Sequence, residues 1–262
     1  MNKFKYLIYD METVTDKTLL NRVMYPGEGL TDDEAYQKHL SQLSEDGKTF
    51  VNPSYHKPVS LAAVAVADNL EIMKIGLLGG QNRTPCSITT NFWNLYREKK
   101  PILVDFNGKG FDLRLMELWA FRCGITLPEN YFGKFGVRYR FAEEKHLDLH
   151  EFLTNYGAIR LAGGLDLFSK ILGKPGKTST KGEMVQDLFD AGDRFRIDDY
   201  CLSDALDTYF IFLRVQLLMG HLTLLMEKEL VDAAKAKIEE HSTKEGTFKT
   251  YLAAFGYWNA PE

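Results

Sequence analysis

The nine residues KYLIYDMET, at positions 5–13, predict a central β-strand that ends in two carboxylates, Asp10 and Glu12. Because successive side chains of a strand point to opposite faces, these two carboxylates share one face. Two like charges held so close repel, and burying either of them unpaired is expensive. A hard divalent cation such as Mg²⁺ takes carboxylate oxygens as ligands and removes this cost. The pattern therefore predicts a metal site at the end of the strand.

Length, composition and charge favour a globular protein with one domain. The 262 residues fit one large α/β domain or two small ones, and the absence of repeats and low-complexity linkers favours a single domain, residues 1–262. Hydrophobic residues make up 45% of the chain and charged residues 26%, so a sizeable core can form. A net charge of −4 and a pI of about 5.9 argue against a protein that coats nucleic acid.

The three cysteines and the N-terminus bear on the compartment. Cys86, Cys123 and Cys201 are far apart and show no CxxC spacing, so we expect reduced, buried thiols and neither a disulfide framework nor a zinc site. The N-terminus lacks an apolar signal region, and no apolar run approaches the length of a membrane span. We therefore expect a soluble, cytoplasmic protein without membrane contact.

Hydrophobic periodicity predicts an α/β fold with a mixed sheet. Strands are expected at 5–13, 59–67, 70–78, 101–106 and 146–149. Helices are expected at 17–24, 31–44, 89–99, 111–122, 165–172, 183–190, 197–219 and 222–239. The first three strands suit an antiparallel unit, and the fourth is short and apolar, as is typical of a buried parallel strand.

Two segments lie outside this regular pattern. A polar, slightly acidic insertion at 14–57 follows the first strand, and we expect it to border the face that carries the carboxylates. A helical C-terminal extension at 222–262 repeats aromatic residues at spacings near three and four, which favours either helix packing or a self-association face. These aromatic residues are Phe248, Tyr251, Phe255 and Trp258.

Two further carboxylates stand at element ends that meet the same cleft. Asp112 follows the fourth strand at the predicted start of a helix, where the helix dipole favours a negative charge. Asp204 lies in the long predicted helix, and Tyr200 precedes it by four residues, so the two side chains share one helical face. Asp207 is one turn further along, and we expect it to have a structural role.

Three motifs carry a family resemblance. Asp10-Met-Glu12, Asn107-x-x-x-Phe111-Asp112 and Tyr200-x-x-x-Asp204 resemble the three motifs of DEDDy-type 3′–5′ exonucleases, the tyrosine branch of the ribonuclease-H-like superfamily. Within that branch, the chain resembles the predicted stand-alone exonucleases related to the proofreading domain of family B DNA polymerases. The histidine branch needs a histidine five residues before the last aspartate, and here that position is Asp199. The resemblance covers roughly residues 5–215 and implies a five-stranded mixed sheet flanked by helices.

The resemblance also implies the chemistry, a two-metal hydrolysis of phosphodiester bonds by Mg²⁺ or Mn²⁺. By similarity, Asp10 bridges both ions, Glu12 and Asp204 complete the site of the ion that carries the attacking water, and Asp112 holds the second ion. Tyr200 is implied to orient that water, since a phenol with a pKa of about 10 is a poor general base at neutral pH. All five residues are therefore candidate catalytic residues.

Substrate contacts are expected from both the motifs and a basic stretch. The resemblance implies that Thr13, Asn107 and Phe111 contact the terminal nucleotides. Residues 133–181 carry nine Lys or Arg against five Asp or Glu, which suits a nucleic-acid surface but also an ordinary solvated loop. Aromatic residues interleave with these charges, as single-strand binding requires: Phe135, Tyr139 and Tyr156. Within this stretch we expect Lys177 and Lys181 to contact phosphate.

The expected function is thus a 3′–5′ exonuclease that releases nucleoside 5′-monophosphates from single-stranded ends, with DNA favoured over RNA. Two alternatives stay open: a 3′–5′ exoribonuclease or oligoribonuclease with the same chemistry, and a catalytically silent module that binds nucleic acid. No residue can be assigned to the 2′-OH, the group that distinguishes RNA from DNA. The alternating histidines and aspartate at 146–150 resemble metal ligands, but their apolar neighbours favour a core strand.

Overall fold

The computed structural model describes residues 4–80, 82–177, 182–245 and 247–261. Its five strands form one sheet in the order β3-β2-β1-β4-β5. Strand β1 pairs antiparallel with β2 and parallel with β4, which places it at the centre. The predicted mixed α/β sheet is therefore confirmed. The strands are β1 Tyr6–Thr15, β2 His56–Val66, β3 Ile72–Leu77, β4 Ile102–Asp105 and β5 His146–Asp148.

Ten α-helices accompany the sheet in the described part of the chain, and eight of them match the predicted ones. They are α1 Lys17–Met24, α2 Asp32–Glu45, α3 Pro85–Lys99, α4 Asp112–Cys123, α5 Leu149–Leu153, α6 Gly164–Ile171, α7 Val185–Asp190, α8 Arg194–Leu218, α9 Leu224–Glu245 and α10 Lys249–Ala253. Helix α3 begins four residues earlier than predicted because the Thr84 side chain caps it and Pro85 suits a first turn. None of the described helices has the length and apolar character that crossing a membrane requires.

The sheet buries both faces, and the alternation of β1 decides which side chain meets which layer. Leu7 and Tyr9 pack against α3 and α4, in a cluster with Phe92 and Leu113. Ile8 points the other way, into the cluster built around α8. Because Asp10 and Glu12 follow Ile8 at steps of two, they face α8. A register shift between Glu12 and Thr13 interrupts the pairing with β2 just beyond the second carboxylate.

The cysteine prediction is wrong for two of the three residues. Cys86 and Cys123 form a disulfide with their Cα atoms 5.7 Å apart, whereas Cys201 is a free, buried thiol. Cys86 lies in the first turn of α3 and Cys123 is the last residue of α4. The packing of α3 against α4 brings these two ends together, a contact that the 37-residue separation concealed. The expectation of a cytoplasmic protein therefore loses the support of three reduced thiols.

The insertion and the C-terminal extension both pack onto the central elements. The insertion contributes α1, α2 and a 3₁₀ turn at Pro53–Tyr55, and a capping box between Thr31 and Glu34 starts α2. In the extension, Phe248 and Tyr251 are buried in the α8 cluster, and the Tyr251 hydroxyl donates to Asp207 Oδ1 at 2.7 Å. Of the two interpretations of this aromatic tail, helix packing is the one observed for these residues.

Candidate active site

Three carboxylates from two distant elements converge at the end of β1. One oxygen each of Asp10, Glu12 and Asp204 lies within 4.8 Å of the other two. Strand alternation supplies the first pair, and α8 crosses their face of the sheet with Asp204 turned toward them. The oxygens are therefore grouped as ligands of a single cation would be.

Asp112 stands beside this group as the first residue of α4. The turn that leads to it is held by its own backbone: the Gly108 N–H donates to Asp105 Oδ1 at 3.0 Å. A Cβ at position 108 would lie 1.9 Å from the other oxygen of Asp105, so only glycine fits there. Asp148 accepts from the backbone N–H groups of Asn107 and Lys109 and fixes the same turn. Asp112 is buried, and its charge acts on Asp10 and Glu12.

The electrostatics of the four carboxylates favour the binding of a cation. Burial, followed by the charge of Asp204, raises the pKa of both Asp10 and Glu12 well above the usual range. Burial and the neighbouring Asp105 raise the pKa of Asp112 in the same way. Burial and the charge of Asp207 raise the pKa of Asp204 to about 7. Four carboxylates at this density disfavour one another's ionisation in the absence of a cation.

One oxygen atom of this group supports the fit to a metal. Asp10 Oδ2 is buried and accepts no hydrogen bond from the described residues. A buried carboxylate oxygen without a donor is costly, and a divalent cation satisfies it with the hard-ligand chemistry that Mg²⁺ and Mn²⁺ prefer. The donor set of four carboxylates therefore suits such an ion.

Tyr200 lies at the edge of the carboxylate group with 9% of its surface exposed. Burial, and next the charges of Asp204 and Glu12, raise the pKa of its hydroxyl well above the ordinary value of 10. The hydroxyl also interacts with the Asp204 carboxyl, which lies one helical turn away. Tyr200 therefore stays protonated at neutral pH and presents an O–H donor at the site.

A cavity of 580 Å³ opens directly beside Glu12. Two of the predicted substrate residues, Thr13 and Phe111, lie in its wall. The Phe111 ring has its centroid 6.1 Å from the rings of both Phe50 and His56, so three aromatic groups cluster on one side of the cavity. The insertion thus supplies part of the wall next to the carboxylates.

His56 and Phe50 are residues that the sequence patterns did not single out. His56 Nε2 lies 3.1 Å from the Val51 carbonyl oxygen, and Thr13 Oγ1 lies 2.9 Å from His56 Nδ1. Burial lowers the pKa of this imidazole, which favours its neutral form. In that form Nε2 donates to the Val51 carbonyl oxygen and Nδ1 accepts a hydrogen bond from the Thr13 hydroxyl. The sequence signal that could have identified them is that Phe50 and His56 come shortly before the predicted second strand, which pairs antiparallel with β1.

The remaining predicted substrate residues fall in different places. Asn107 is exposed and lines a separate cavity of 350 Å³. Lys177 is exposed, and its charge lowers the pKa of Glu12 and Asp204. Lys181 lies outside the described residues.

His146 and Asp207, which were expected to be structural, are buried in the core. His146 is fully buried in β5, and its Nε2 lies 2.6 Å from Asp105 Oδ2. Asp207 is fully buried and does not belong to the metal-like group found among the described residues. The core-strand prediction for residues 146–150 is confirmed for 146–148, whereas residues 149 and 150 begin α5. The structural role of Asp207 stays a prediction, which its burial and its hydrogen bond with Tyr251 support.

Comparison with known proteins agrees with this geometry. A family model described as a predicted 3′–5′ exonuclease related to the exonuclease domain of PolB matches residues 48–255. The match contains Asp112, Tyr200 and Asp204 and extends into the C-terminal helices. The match begins after β1 and therefore does not include Asp10 and Glu12. The folded structure places these two carboxylates beside Asp204, which the match does include.

No significant match was found among curated proteins. The five-stranded mixed sheet flanked by helices is consistent with a ribonuclease-H-like exonuclease fold. The family match covers well over half of the 262 residues. The chain therefore belongs to the family of predicted 3′–5′ exonucleases related to the exonuclease domain of PolB.

Proposed function

We propose that the protein is a metal-dependent 3′–5′ exonuclease that removes nucleoside 5′-monophosphates from single-stranded ends, with DNA favoured over RNA. The observation that carries this proposal is the convergence of Asp10, Glu12 and Asp204, in which one buried oxygen, Asp10 Oδ2, accepts no hydrogen bond from the described residues. The relation of the family to the exonuclease domain of PolB supports both the polarity and the preference for DNA.

The four carboxylates would hold two divalent cations, Mg²⁺ or Mn²⁺. Asp10, Glu12 and Asp204 form the group for one ion, and Asp112, next to Asp10, serves the second. When bound, such a pair of ions activates a water nucleophile and stabilises the leaving 3′ oxygen.

Tyr200 orients the attacking water. Its hydroxyl stays protonated because burial and the charge of Asp204 raise its pKa, so it cannot remove a proton at neutral pH. It can instead hold a water molecule by hydrogen bonding at the edge of the carboxylate group. Substitution by phenylalanine removes that contact and leaves the metal ligands in place.

The cavity beside Glu12 receives the terminal nucleoside. Phe111 and Phe50 offer ring surfaces to the base or sugar, and the neutral His56 keeps the Thr13 hydroxyl in a fixed orientation. Lys177 contacts the phosphate on the side of Glu12 and Asp204, where its charge already acts. We assign Lys181 the same role from its place in the basic loop sequence.

The test is digestion of matched DNA and RNA, single- and double-stranded, each labelled at the 5′ end. With Mg²⁺ or Mn²⁺ we expect single-stranded DNA to shorten one nucleotide at a time from the 3′ end, with mononucleotides released. Asp10→Asn abolishes this activity, whereas Asp68→Asn, a change at an exposed carboxylate paired with Lys5, preserves it. Intact substrate across metals and pH, with the wild type equal to Asp10→Asn, contradicts the proposal.

A further inference from the structure

A row of aromatic side chains stands on the surface, three of them from the segment between the 3₁₀ turn Glu129–Tyr131 and β5 and the fourth from the turn that follows α5. Its members, which we call the aromatic ladder, are Phe135, Tyr139, Phe141 and Tyr156. Consecutive ring centroids lie 5.7, 5.8 and 4.8 Å apart, each pair edge to face. The first three side chains are 55%, 42% and 53% exposed. Large exposed apolar groups in a continuous row mark an interaction surface more often than isolated ones do.

The segment that carries the first three ladder residues also packs against the core. Tyr131, Val137 and Ala142 from the same segment are 0–1% exposed and anchor it to the core. Backbone hydrogen bonds close successive turns, for example from Tyr139 N–H to the Gly136 carbonyl at 2.9 Å. The segment therefore buries some of its apolar side chains and holds the ladder residues outward.

One glutamate beneath the ladder is shared by two arginines. Glu117 accepts from Arg114 at 2.8 Å and from Arg138 at 3.0 Å. The Tyr131 hydroxyl donates to the same carboxylate. A single negative charge thus orders two guanidinium groups, and one positive charge remains in excess at this point.

A second glutamate repeats this arrangement. Glu151 accepts from Arg140 at 2.7 Å and lies 3.3 Å from Lys109 Nζ. Glu143, which accepts from the Tyr156 hydroxyl, offsets part of the excess. With Lys134, the residues named here make five cations against three anions, and Lys145 and Glu144 of the same segment offset each other. The five cations are Lys109, Arg114, Lys134, Arg138 and Arg140. The local balance is positive on a chain whose net charge is −4.

Two cavities lie between the ladder and the turn that leads into Asp112. The one of 350 Å³ is lined by Asn107, Gly110, Arg114 and Arg140, and the first two belong to the turn that leads into Asp112. The other, of 440 Å³, is lined by Arg114, Lys134, Arg138 and Tyr139. Because Arg114 lines both, the basic surface is continuous from the turn before Asp112 to the ladder.

The geometry points to the ladder as the track that binds the unpaired strand leading away from the 3′ end. Bases stack on exposed aromatic rings, and the arginines and lysines between them bind the phosphates by donating hydrogen bonds to their oxygens. In a duplex the base faces are covered by their neighbours, so a stacking surface selects unpaired nucleic acid. This inference rests on the proposed function for the position of the 3′ end, while strand binding by the ladder does not require catalysis.

The test separates long from short ligands. Fluorescence anisotropy in EDTA measures binding of oligothymidylates of about four and about twelve nucleotides, lengths that span the sites of single-strand binding surfaces. For the double variant Phe135→Ala/Tyr139→Ala we expect about a tenfold or greater loss of affinity for the longer ligand, from the stacking contribution of two bases. The shorter ligand binds equally to both proteins. Tyr139→Trp retains binding and Tyr139→Leu loses it.

A matched control is Phe121→Ala, which removes an 85% exposed ring on α4 outside the ladder and leaves binding unchanged. Arg138→Gln should reduce the dependence of log affinity on log salt by about 0.7, the share of one phosphate contact. Hydrolysis of the p-nitrophenyl ester of thymidine 5′-monophosphate, too short to reach the ladder, stays at the wild-type rate in all these variants.

The outcomes distinguish this inference from the proposed function. If the double variant binds the longer oligothymidylate as tightly as the wild type, the ladder is not the track, even when the exonuclease is active. If the wild type hydrolyses neither the ester nor an oligonucleotide, the proposed function fails. In that case a length-dependent loss of binding in the double variant still supports the track.

Discussion

Two groups of buried carboxylates lie on opposite faces of the same sheet, and they differ in how their oxygens are satisfied. On the α4 side, Asp105 accepts from the Tyr9 hydroxyl at 2.5 Å and from the Gly108 N–H, and His146 Nε2 lies 2.6 Å away. On the α8 side, Asp10 Oδ2 accepts nothing from the described residues, and its neighbours are other carboxylates.

The two groups differ in the number of hydrogen-bond donors that surround each carboxylate. Asp148, like Asp105, is surrounded by donors: four backbone N–H groups point at it between 2.9 and 3.1 Å. These two residues hold the turn that delivers Asp112 to the site. In the Asp10 group, which we define as Asp10, Glu12 and Asp204, the oxygen Asp10 Oδ2 has no such donor among the described residues, and a cation would satisfy it. Neither burial nor one oxygen without a donor separates a structural acid from a candidate metal ligand, since Asp207 Oδ2 also accepts no hydrogen bond from the described residues; what distinguishes Asp10 is that its neighbours are other carboxylates.

The largest expected contrast comes from the same substitution made in each group. Asp105→Asn replaces an acceptor by an amide and leaves buried donors unsatisfied, so we expect the free energy of unfolding to fall by about 3 kcal/mol. Asp10→Asn removes a repelled charge and should raise that free energy by about 1 kcal/mol in the metal-free protein. Chemical denaturation at pH 8 in EDTA measures both.

The activities should also separate. Asp10→Asn is expected to lose more than about 100-fold in nuclease activity, since even residues that only support metal ligands cost 10–100-fold. Asp105→Asn should keep a metal-dependent activity at temperatures where it remains folded. Equal signs for the two stability changes would show that the Asp10 group is satisfied in a way similar to Asp105.

The pH dependence of stability sharpens the comparison next. The folded-state pKa values of Asp10, Glu12, Asp112 and Asp204 lie above their unfolded values. Their contribution to stability is therefore fully present below about pH 4 and is lost as the pH rises through the folded values, about 7 for Asp204. We expect the melting temperature of the metal-free protein to fall between pH 5 and pH 8.

Adding Mg²⁺ or Mn²⁺ at pH 8 should restore much of that loss, because a cation bound to the ionised carboxylates stabilises the folded state. Scanning calorimetry with and without EDTA tests this. Asp204→Asn should flatten the pH dependence, and Asp68→Asn, at an exposed residue, should not change it. A melting temperature that rises with pH in EDTA would contradict the assigned direction.

The smallest of these effects concerns Tyr200, which is beside the Asp10 group but is not one of its acids. Tyr200→Phe should lower the turnover rate about tenfold, less than loss of a general acid or base at 10²–10⁴-fold, because in the proposed mechanism the hydroxyl orients a water without exchanging a proton. Metal affinity should change little. Turnover at several pH values and metal titration by calorimetry measure the two quantities. Full activity of Tyr200→Phe at every pH would exclude the orienting role.

Sequence patterns were enough for the five strands, for eight of the ten helices in the described part of the chain and for the order of the acidic motifs. Asp10 and Glu12 follow an apolar strand at a spacing of two, and Tyr200 and Asp204 follow helical spacing, so their shared faces depend on local geometry alone. The predicted mixed sheet is confirmed for the same reason. Asp112 at the first position of a helix could likewise be inferred from the glycine-containing turn before it.

What local patterns could not supply are contacts between residues that are distant along the chain. The Cys86–Cys123 disulfide depends on how α3 packs against α4, and the cavity wall of Phe50, His56 and Phe111 depends on how the insertion folds over β1. Helices and strands arise from periodicity within one segment, so the chain's own order of residues predicts them. Whether a buried carboxylate such as Asp105 or Asp10 finds a hydrogen-bond donor depends on side chains tens of residues away, and only packing in three dimensions brings those together.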